Sequence, residues 1–281
     1  AYYPFSGNAS DISGNNNNAV FNNAALTADR FGNPASAYHF NGANTYIRVP
    51  NSPSLNPGNK LSLCAWVRPT GFYAGNCHGN SVIMKGNTGA TPGRYLMWYD
   101  DNAGTNGINC TGAPVNPNVQ NFYGEAAFTP PPGYTPYIQT GQWYSVVITY
   151  DGTTARLYIN CQLKYNGPQG SLTFGNSDDL FIGALNNASF PYWVNGDIDE
   201  VRIYDRALST DEVNVLGDCS LVNATSISGI INTYTPVLGF NPCDNKLTVE
   251  DGSTFNTGDT VVMIQMKGAA IDSTNTASFG T

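Results

Sequence analysis

The sequence predicts an all-β protein: a two-sheet antiparallel jelly roll over most of its length, then the start of a second β-rich module. Three observations carry this reading. Apolar residues recur with period two in many short segments. Clusters of Gly, Asn and Pro, the residues of tight turns, separate those segments. A single segment near residue 210 has the caps and spacing of a helix. Many short strands joined by such turns build a sandwich or jelly roll.

Taken in order, strands are expected over 37 to 49 and in LSLCAWVRP, where Leu61, Leu63, Ala65 and Val67 face one way. Others are expected over 81 to 85, 95 to 99, 180 to 184 and 197 to 204. WYSVVITYDGTTARLYINC reads as a hairpin. Tyr144, Val146, Ile148 and Tyr150 share one face of its first strand, Asp151-Gly152 makes the turn, and Leu157 and Ile159 lie on the return. The helix is expected over 209 to 216. Ser209 is the N-cap, Glu212 completes a capping box and Gly217 ends it.

Residues 101 to 140 read as one long irregular region, with the turn Asn106-Gly107 and the run Pro130-Pro131-Pro132. Loops that long are uncommon unless functional or cross-linked. After Cys219 the composition changes. Strands at 245 to 249 and 260 to 265 begin a module that reaches residue 281 without an obvious closed core. The expected division is therefore 1–218 and 219–281. The chain opens at AYYPFSGN, inside what reads as folded sequence, so the N-terminus is expected to arise by processing or to lie within a longer protein.

Charged residues are 11% of the chain, and the net charge is 12 − 20 = −8. An acidic chain with few Lys and two His is poorly suited to nucleic acid or anionic membranes. No apolar run reaches the roughly 18 residues of a membrane-spanning helix, so no membrane insertion is expected. A polar, uncharged surface fits a secreted or cell-surface setting. The six cysteines show no zinc spacing and, being even in number, point to disulfides and an oxidising compartment. Cys77 and Cys110 lie in turn-rich loops and are expected to pair. Cys219 and Cys243 flank the module boundary and come second. Cys64 and Cys161 are then left over, as a third bond or as buried thiols.

The most informative segment is GDIDEVRIYDRALSTDEV, from 196 to 213. Asp197, Asp199 and Glu200 crowd one strand. Crowded carboxylates are costly unless a cation sits among them, and the alternatives are a solvated edge or a hard-cation site such as Ca²⁺.

Together with FNGANTYIRVPNSPSLN, LSLCAWVRPTG, WYSVVITYDGTTARLYIN and LFIGA, this segment resembles the concanavalin A-like, laminin G-type jelly rolls of bacterial surface proteins. The resemblance covers roughly residues 1 to 218. The tail is similar, more weakly, to modules of very large surface adhesins of gliding Bacteroidota-type bacteria, often exported by the type IX system. The resemblance implies lectin-like or carbohydrate binding, with surface glycans or polysaccharide and neighbouring modules as partners. It also implies a structural Ca²⁺ between the N-terminal segment and the last strand. The matching positions are Asp11, Asn41 and Asp199, with Asn41 a departure from the Asp usual there. Cys161 is a second departure, replacing the Gly of an Asn-Gly turn, and a disulfide is a reason to accept that strain.

No catalytic residues are assigned, and the chain is not expected to be an enzyme. One branch of the superfamily hydrolyses glycosides with a Glu-x-Asp-x-Glu strand. Here Asp197-Ile198-Asp199-Glu200 places Glu200 on the wrong face. His39 sits in a strand between Tyr38 and Phe40 and reads as packing, and His78, beside Cys77 in a loop, has no visible acid or serine partner. Binding is better served, because sugars stack C–H faces on aromatic rings. The candidate ligand residues are Tyr73, Trp98, Tyr99, Asp101, Tyr192 and Trp193, weighed against ordinary core packing of the same rings. The competing function is a structural spacer or filament subunit, with those aromatics buried or at module contacts.

Overall fold

The computed structural model describes residues 1–75, 78–86, 91–100, 119–123, 137–219, 237–241, 246–249 and 253. The chain divides into two compact units, Ala1–Leu221 and Val222–Thr281. The first is built from two antiparallel sheets. In the larger, the strand order is β13 (Gln162–Pro168), β12 (Thr154–Ile159), β11 (Tyr144–Tyr150), β6 (Leu61–Pro69), β15 (Asn195–Tyr204), β4 (Ala37–Asn41) and β3 (Ala25–Thr27). A short β1 (Tyr2–Tyr3) pairs with β15 beyond the point where β4 stops. The smaller sheet runs β10 (Tyr137–Gln139), β9 (Val119–Tyr123), β8 (Tyr95–Asp100), β7 (Asn80–Lys85), β14 (Leu180–Ile182), β5 (Ile47–Val49) and β2 (Phe21–Asn22). In the second unit, β16 (Val237–Asn241) pairs with β17 (Lys246–Val249). The strand expected at 260 to 265 lies outside the described residues.

Alternation places the core between the sheets. Leu61, Leu63, Ala65 and Val67 face inward from β6, and Val146, Ile148 and Tyr150 from β11. They meet Ile83, Tyr95, Met97 and Tyr99 of the opposite sheet in one cluster. The odd-even partners on β6, Ser62, Cys64, Trp66 and Arg68, therefore face away from it.

The strand expected over 37 to 49 is two strands, one in each sheet. The chain turns at Gly42, whose φ of +70° suits glycine, and a Cβ there would lie 2.9 Å from the Asn195 side chain. Asn41 fixes the turn, its Oδ1 accepting from the Ala43 and Asn44 amides at 2.9 and 3.0 Å. The Asp151 hairpin forms as read, with Val146 opposite Ile159 and Tyr150 opposite Ala155. The Asp151 side chain accepts from Thr153 N and Thr154 N and pairs with Arg156.

The helix α1 (Thr210–Leu216) carries the full capping box of Ser209 and Glu212. Leu208 and Val213 pack on Cys64, Val147 and Tyr158, on the outer face of the larger sheet. Sequence reading missed β13, whose exposed, polar run carries no period-two signal. The β12–β13 turn, Asn160–Cys161, has φ of +48° and +62°, the pair of left-handed residues a tight hairpin requires. Cys161 bonds Cys219, which corrects the expected Cys219–Cys243 pairing. Hairpin turn and helix end meet, and proximity in the fold overrides position in the sequence. Cys64 is not a disulfide partner: it is a buried free thiol under α1, which burial pushes up to about 12. Cys77, Cys110 and Cys243 lie outside the described residues.

Candidate functional site

Four of the aromatic residues singled out in the sequence gather on the outer face of the smaller sheet. Trp98 projects there from β8, because its neighbours Met97 and Tyr99 point into the core. The loop between β14 and β15 folds back over this face and brings Tyr192 and Trp193. The loop after β6 brings Tyr73. Tyr192 is the hub, edge-on to Tyr73 at 6.0 Å and to Trp98 at 5.3 Å. Tyr73 also meets Trp193 edge-to-face at 5.8 Å, and Phe190 stacks on Tyr192 at 6.4 Å. Beneath them lie Met84, Leu96 and Leu185. Tyr192 is buried, Tyr73, Trp98 and Trp193 are half-buried, and Phe190 is exposed.

Tyr99 does not belong to this group. It lies in the core between the sheets, its hydroxyl donating to Asn195 O at 2.8 Å. Asp101 lies outside the described residues.

Two asparagines that sequence reasoning missed hold the loops in place. Buried Asn80 accepts from Tyr73 N at 3.1 Å and Asn195 N at 3.0 Å through one oxygen, and its amide donates to His78 O. Asn195 O accepts from Thr70 N and Gly71 N. One amide therefore ties the loop after β6 to the start of β15. The available signal was a polar Asn two positions before the apolar run Val82-Ile83-Met84. Gly79 completes the seat, since a Cβ there would stand 3.0 Å from the Tyr192 ring and 3.4 Å from Trp98.

The crowded carboxylates of β15 do have cations among them, and these are arginines. Asp197, almost fully buried, accepts from Arg68 Nε at 2.6 Å and sits 2.8 Å from His39 Nδ1. Asp199 lies 3.5 Å from Arg30, whose guanidinium is held between the Phe31 and Trp66 rings and also pairs with Asp218. Glu200 pairs with Arg202, which covers the Tyr2 ring, and Tyr2 donates to Glu200. Burial, then the neighbouring Glu200 charge, push the Asp199 carboxyl up to about 7 against the pull of Arg30. The register shift after Asp199, with Glu200 at φ +54°, turns Glu200 aside from its neighbours.

Asp11, Asn41 and Asp199 do not fit a single Ca²⁺. Asn41 stands opposite Asn195, four positions along β15 from Asp199, on the order of 13 Å at the rise of a strand. Calcium ligands lie about 2.3–2.6 Å from the ion. The Asp11 oxygens already accept from Tyr2 N, Ser13 N, Asn17 N and Asn17 Nδ2. Its carboxylate organises the N-terminal loop, as Asn41 organises the Gly42 turn.

Among solved structures, the chain is similar to domain 4 of AbnA, a GH43 extracellular arabinanase from Geobacillus stearothermophilus, in complex with arabinotriose. The identity is 22%, the TM-score 0.52, and the match covers 77% of this chain and 97% of that one. The binding domain of botulinum neurotoxin serotype G aligns at 17% identity and a TM-score of 0.49, over 78% of this chain and half of that one. Among curated proteins, the human adhesion G-protein coupled receptor D1 is 30% identical over 144 residues, 47% of this chain. The chain matches only 15% of that receptor's length. The laminin G-type family described as the concanavalin A-like lectin/glucanases superfamily matches residues 41–214, from the Gly42 turn into α1. The two packed antiparallel sheets and this match together make the chain a member of the concanavalin A-like lectin/glucanase superfamily.

Proposed function

We propose that this chain is a non-catalytic glycan-binding module of an extracellular adhesive protein. The observation that carries it is the aromatic cluster in which Tyr73, Tyr192 and Trp193, on two loops that Asn80 locks together, gather around Trp98 of β8. Aromatic faces with polar groups beside them are what a pyranose or furanose ring needs: stacking for its C–H face, and amides for its hydroxyls. Asn186, Asn187 and Ser189 line the same loop. The arabinanase domain solved with arabinotriose supports a sugar ligand for this fold. A disulfide supports an extracellular setting. Attachment to a bacterial surface, a type IX export route and contact with neighbouring modules belong to the same proposal and rest on the sequence resemblance.

Hydrolysis is disfavoured by the state of the acidic strand. Asp197 and Asp199 are almost fully buried beside Arg68 and Arg30, so neither carboxyl is presented to a glycosidic bond as a glycosidase pair requires. The spacer reading draws on one observation: the rings of the cluster spend their faces and edges on one another, as packing aromatics do.

A glycan array probed with the full chain and with Trp193→Ala separates these readings. Binding that falls about tenfold or more in the variant, with unchanged melting temperature, supports the module. Binding indifferent to Trp193 moves the site elsewhere, and no binding across the array favours the spacer. Release of reducing sugar from any bound polysaccharide would overturn the non-catalytic assignment.

A further inference from the structure

The outer face of the smaller sheet carries a second aromatic group at its opposite edge. Ile47 and Val49 of β5 point into the core, so Tyr46 and Arg48 point outward. Arg48 stands directly between Phe21 of β2 and Phe181 of β14. Phe181 is in turn opposite Met84, and Met84 opposite Leu96. One cross-strand row, Phe21–Arg48–Phe181–Met84–Leu96, thus runs from the free edge to the foot of the first cluster. Four strand spacings separate its ends, about 19 Å. The loop bearing Tyr192 covers the Met84–Leu96 end, and the Phe21 end is open. Phe21 is 38% exposed and stacks on Tyr46 at 4.6 Å, and Tyr46 meets Phe181 at 5.6 Å.

We propose that Phe21, Tyr46 and Arg48 form a second sugar subsite, and that its ligand is a neutral polysaccharide long enough to reach the first cluster. This rests on the reading of the chain as a glycan-binding module. The class of ligand follows from charge. Arg48 Nη1 pairs with Asp179 at 3.1 Å, both groups partly exposed. A guanidinium beside a carboxylate offers donors and acceptors to neighbouring hydroxyls with no net charge. The chain as a whole carries −8, which repels acidic glycans. A peptide adding to the sheet edge is a poorer fit, since β2 offers two residues for pairing. Two weak subsites on one face give a polymer an advantage that a short sugar lacks, because the second contact is intramolecular once the first is made.

The test is titration of the full chain, and of its Phe21→Ala, Arg48→Met and Trp193→Ala forms, with linear arabinan, xylan, mannan and β-glucan, their disaccharides, and polygalacturonate. Phe21 and Arg48 are surface side chains, and melting temperatures confirm that the variants remain folded. The expected result is a neutral polymer bound at least tenfold more tightly than its disaccharide, with that margin lost in Phe21→Ala and in Arg48→Met. Polymer binding unchanged in both variants overturns the subsite and leaves the module reading standing. Binding confined to polygalacturonate, and lost in Arg48→Met, overturns the neutral class. No binding of any polysaccharide by the unaltered chain overturns the module reading, and the subsite with it.

Discussion

Two aspartates expected to share one ion hold opposite electrostatic positions. At Asp11, burial works to raise the carboxyl, but the amides of Tyr2, Ser13 and Asn17 outweigh it and bring it down to about 2. Its native pKa lies below its unfolded value, so its contribution is present above pH ~4 and is lost as pH falls toward 2. At Asp199 the shift is upward, to about 7. Its native pKa lies above its unfolded value, so stability is fully present below pH ~4 and declines as pH rises through 7. Urea unfolding of Asp199→Asn is expected to gain on the unaltered chain between pH 4 and pH 8, by on the order of 1–4 kcal/mol. Asp11→Asn is expected to lose most at neutral pH and least near pH 2. Parallel pH profiles for the two variants would mean that the shifts have been misattributed. Lys85 is a third such residue. Its ammonium is buried on the core side of β7 and donates to Asn176 O, Asn176 Oδ1 and Asp178 O, which anchors the loop before β14. Lys85→Met leaves those acceptors without their donor and is expected to cost about 2–3 kcal/mol in equilibrium unfolding.

At the scale of elements, legibility followed local chemistry. The capping box of Ser209 and Glu212, the Asp151 hairpin and the inward face of β6 were all readable, because each is set by residues a few positions apart. The break in the 37-to-49 segment was not, because Asn-Gly in a run of β-formers reads as continuous until the two halves are placed in different sheets. Strand β13 was hidden by its exposed, polar run. In the candidate site the aromatics were legible by type, but their grouping was not. Tyr99 and Trp98 are adjacent in sequence and lie on opposite faces of one strand, and Asn80, which ties the loops, has no motif. The Cys161–Cys219 bond was obscured for the same reason, since it joins elements 58 positions apart. It holds the left-handed β12–β13 turn against the end of a seven-residue helix, far shorter than a helix stable alone. Loop-closure entropy for that separation is worth about 4 kcal/mol. Cys161→Ser with Cys219→Ser is therefore expected to lower stability by a few kcal/mol and to speed alkylation of Cys64 beneath α1, followed by site-resolved mass spectrometry. Unchanged Cys64 labelling would show that the capping box and the Arg30–Asp218 pair hold the helix without the bond.

At the scale of the molecule, cation demand and ligand supply are separable. The charge pattern of β15 required cations, and the fold supplies them from its own chain: Arg68 to Asp197, Arg30 to Asp199, Arg202 to Glu200. Each arginine also covers an aromatic ring, Trp143, Trp66 or Tyr2, so the neutralising charge contributes apolar cover as well. A strand whose carboxylates each have an arginine of the same chain beside them is expected to hold without a structural metal at that place. The consequence is measurable on the whole chain. A calcium clamp present at 100 times its dissociation constant would add about 2.7 kcal/mol, a shift of several degrees. Thermal unfolding in millimolar Ca²⁺ and in chelator is instead expected to coincide, while Arg30→Ala, which leaves Asp199 buried without its cation, lowers the melting temperature in both. A calcium-dependent rise in the unaltered chain that disappears in Asp199→Asn would reverse the argument and return the last strand to a metal.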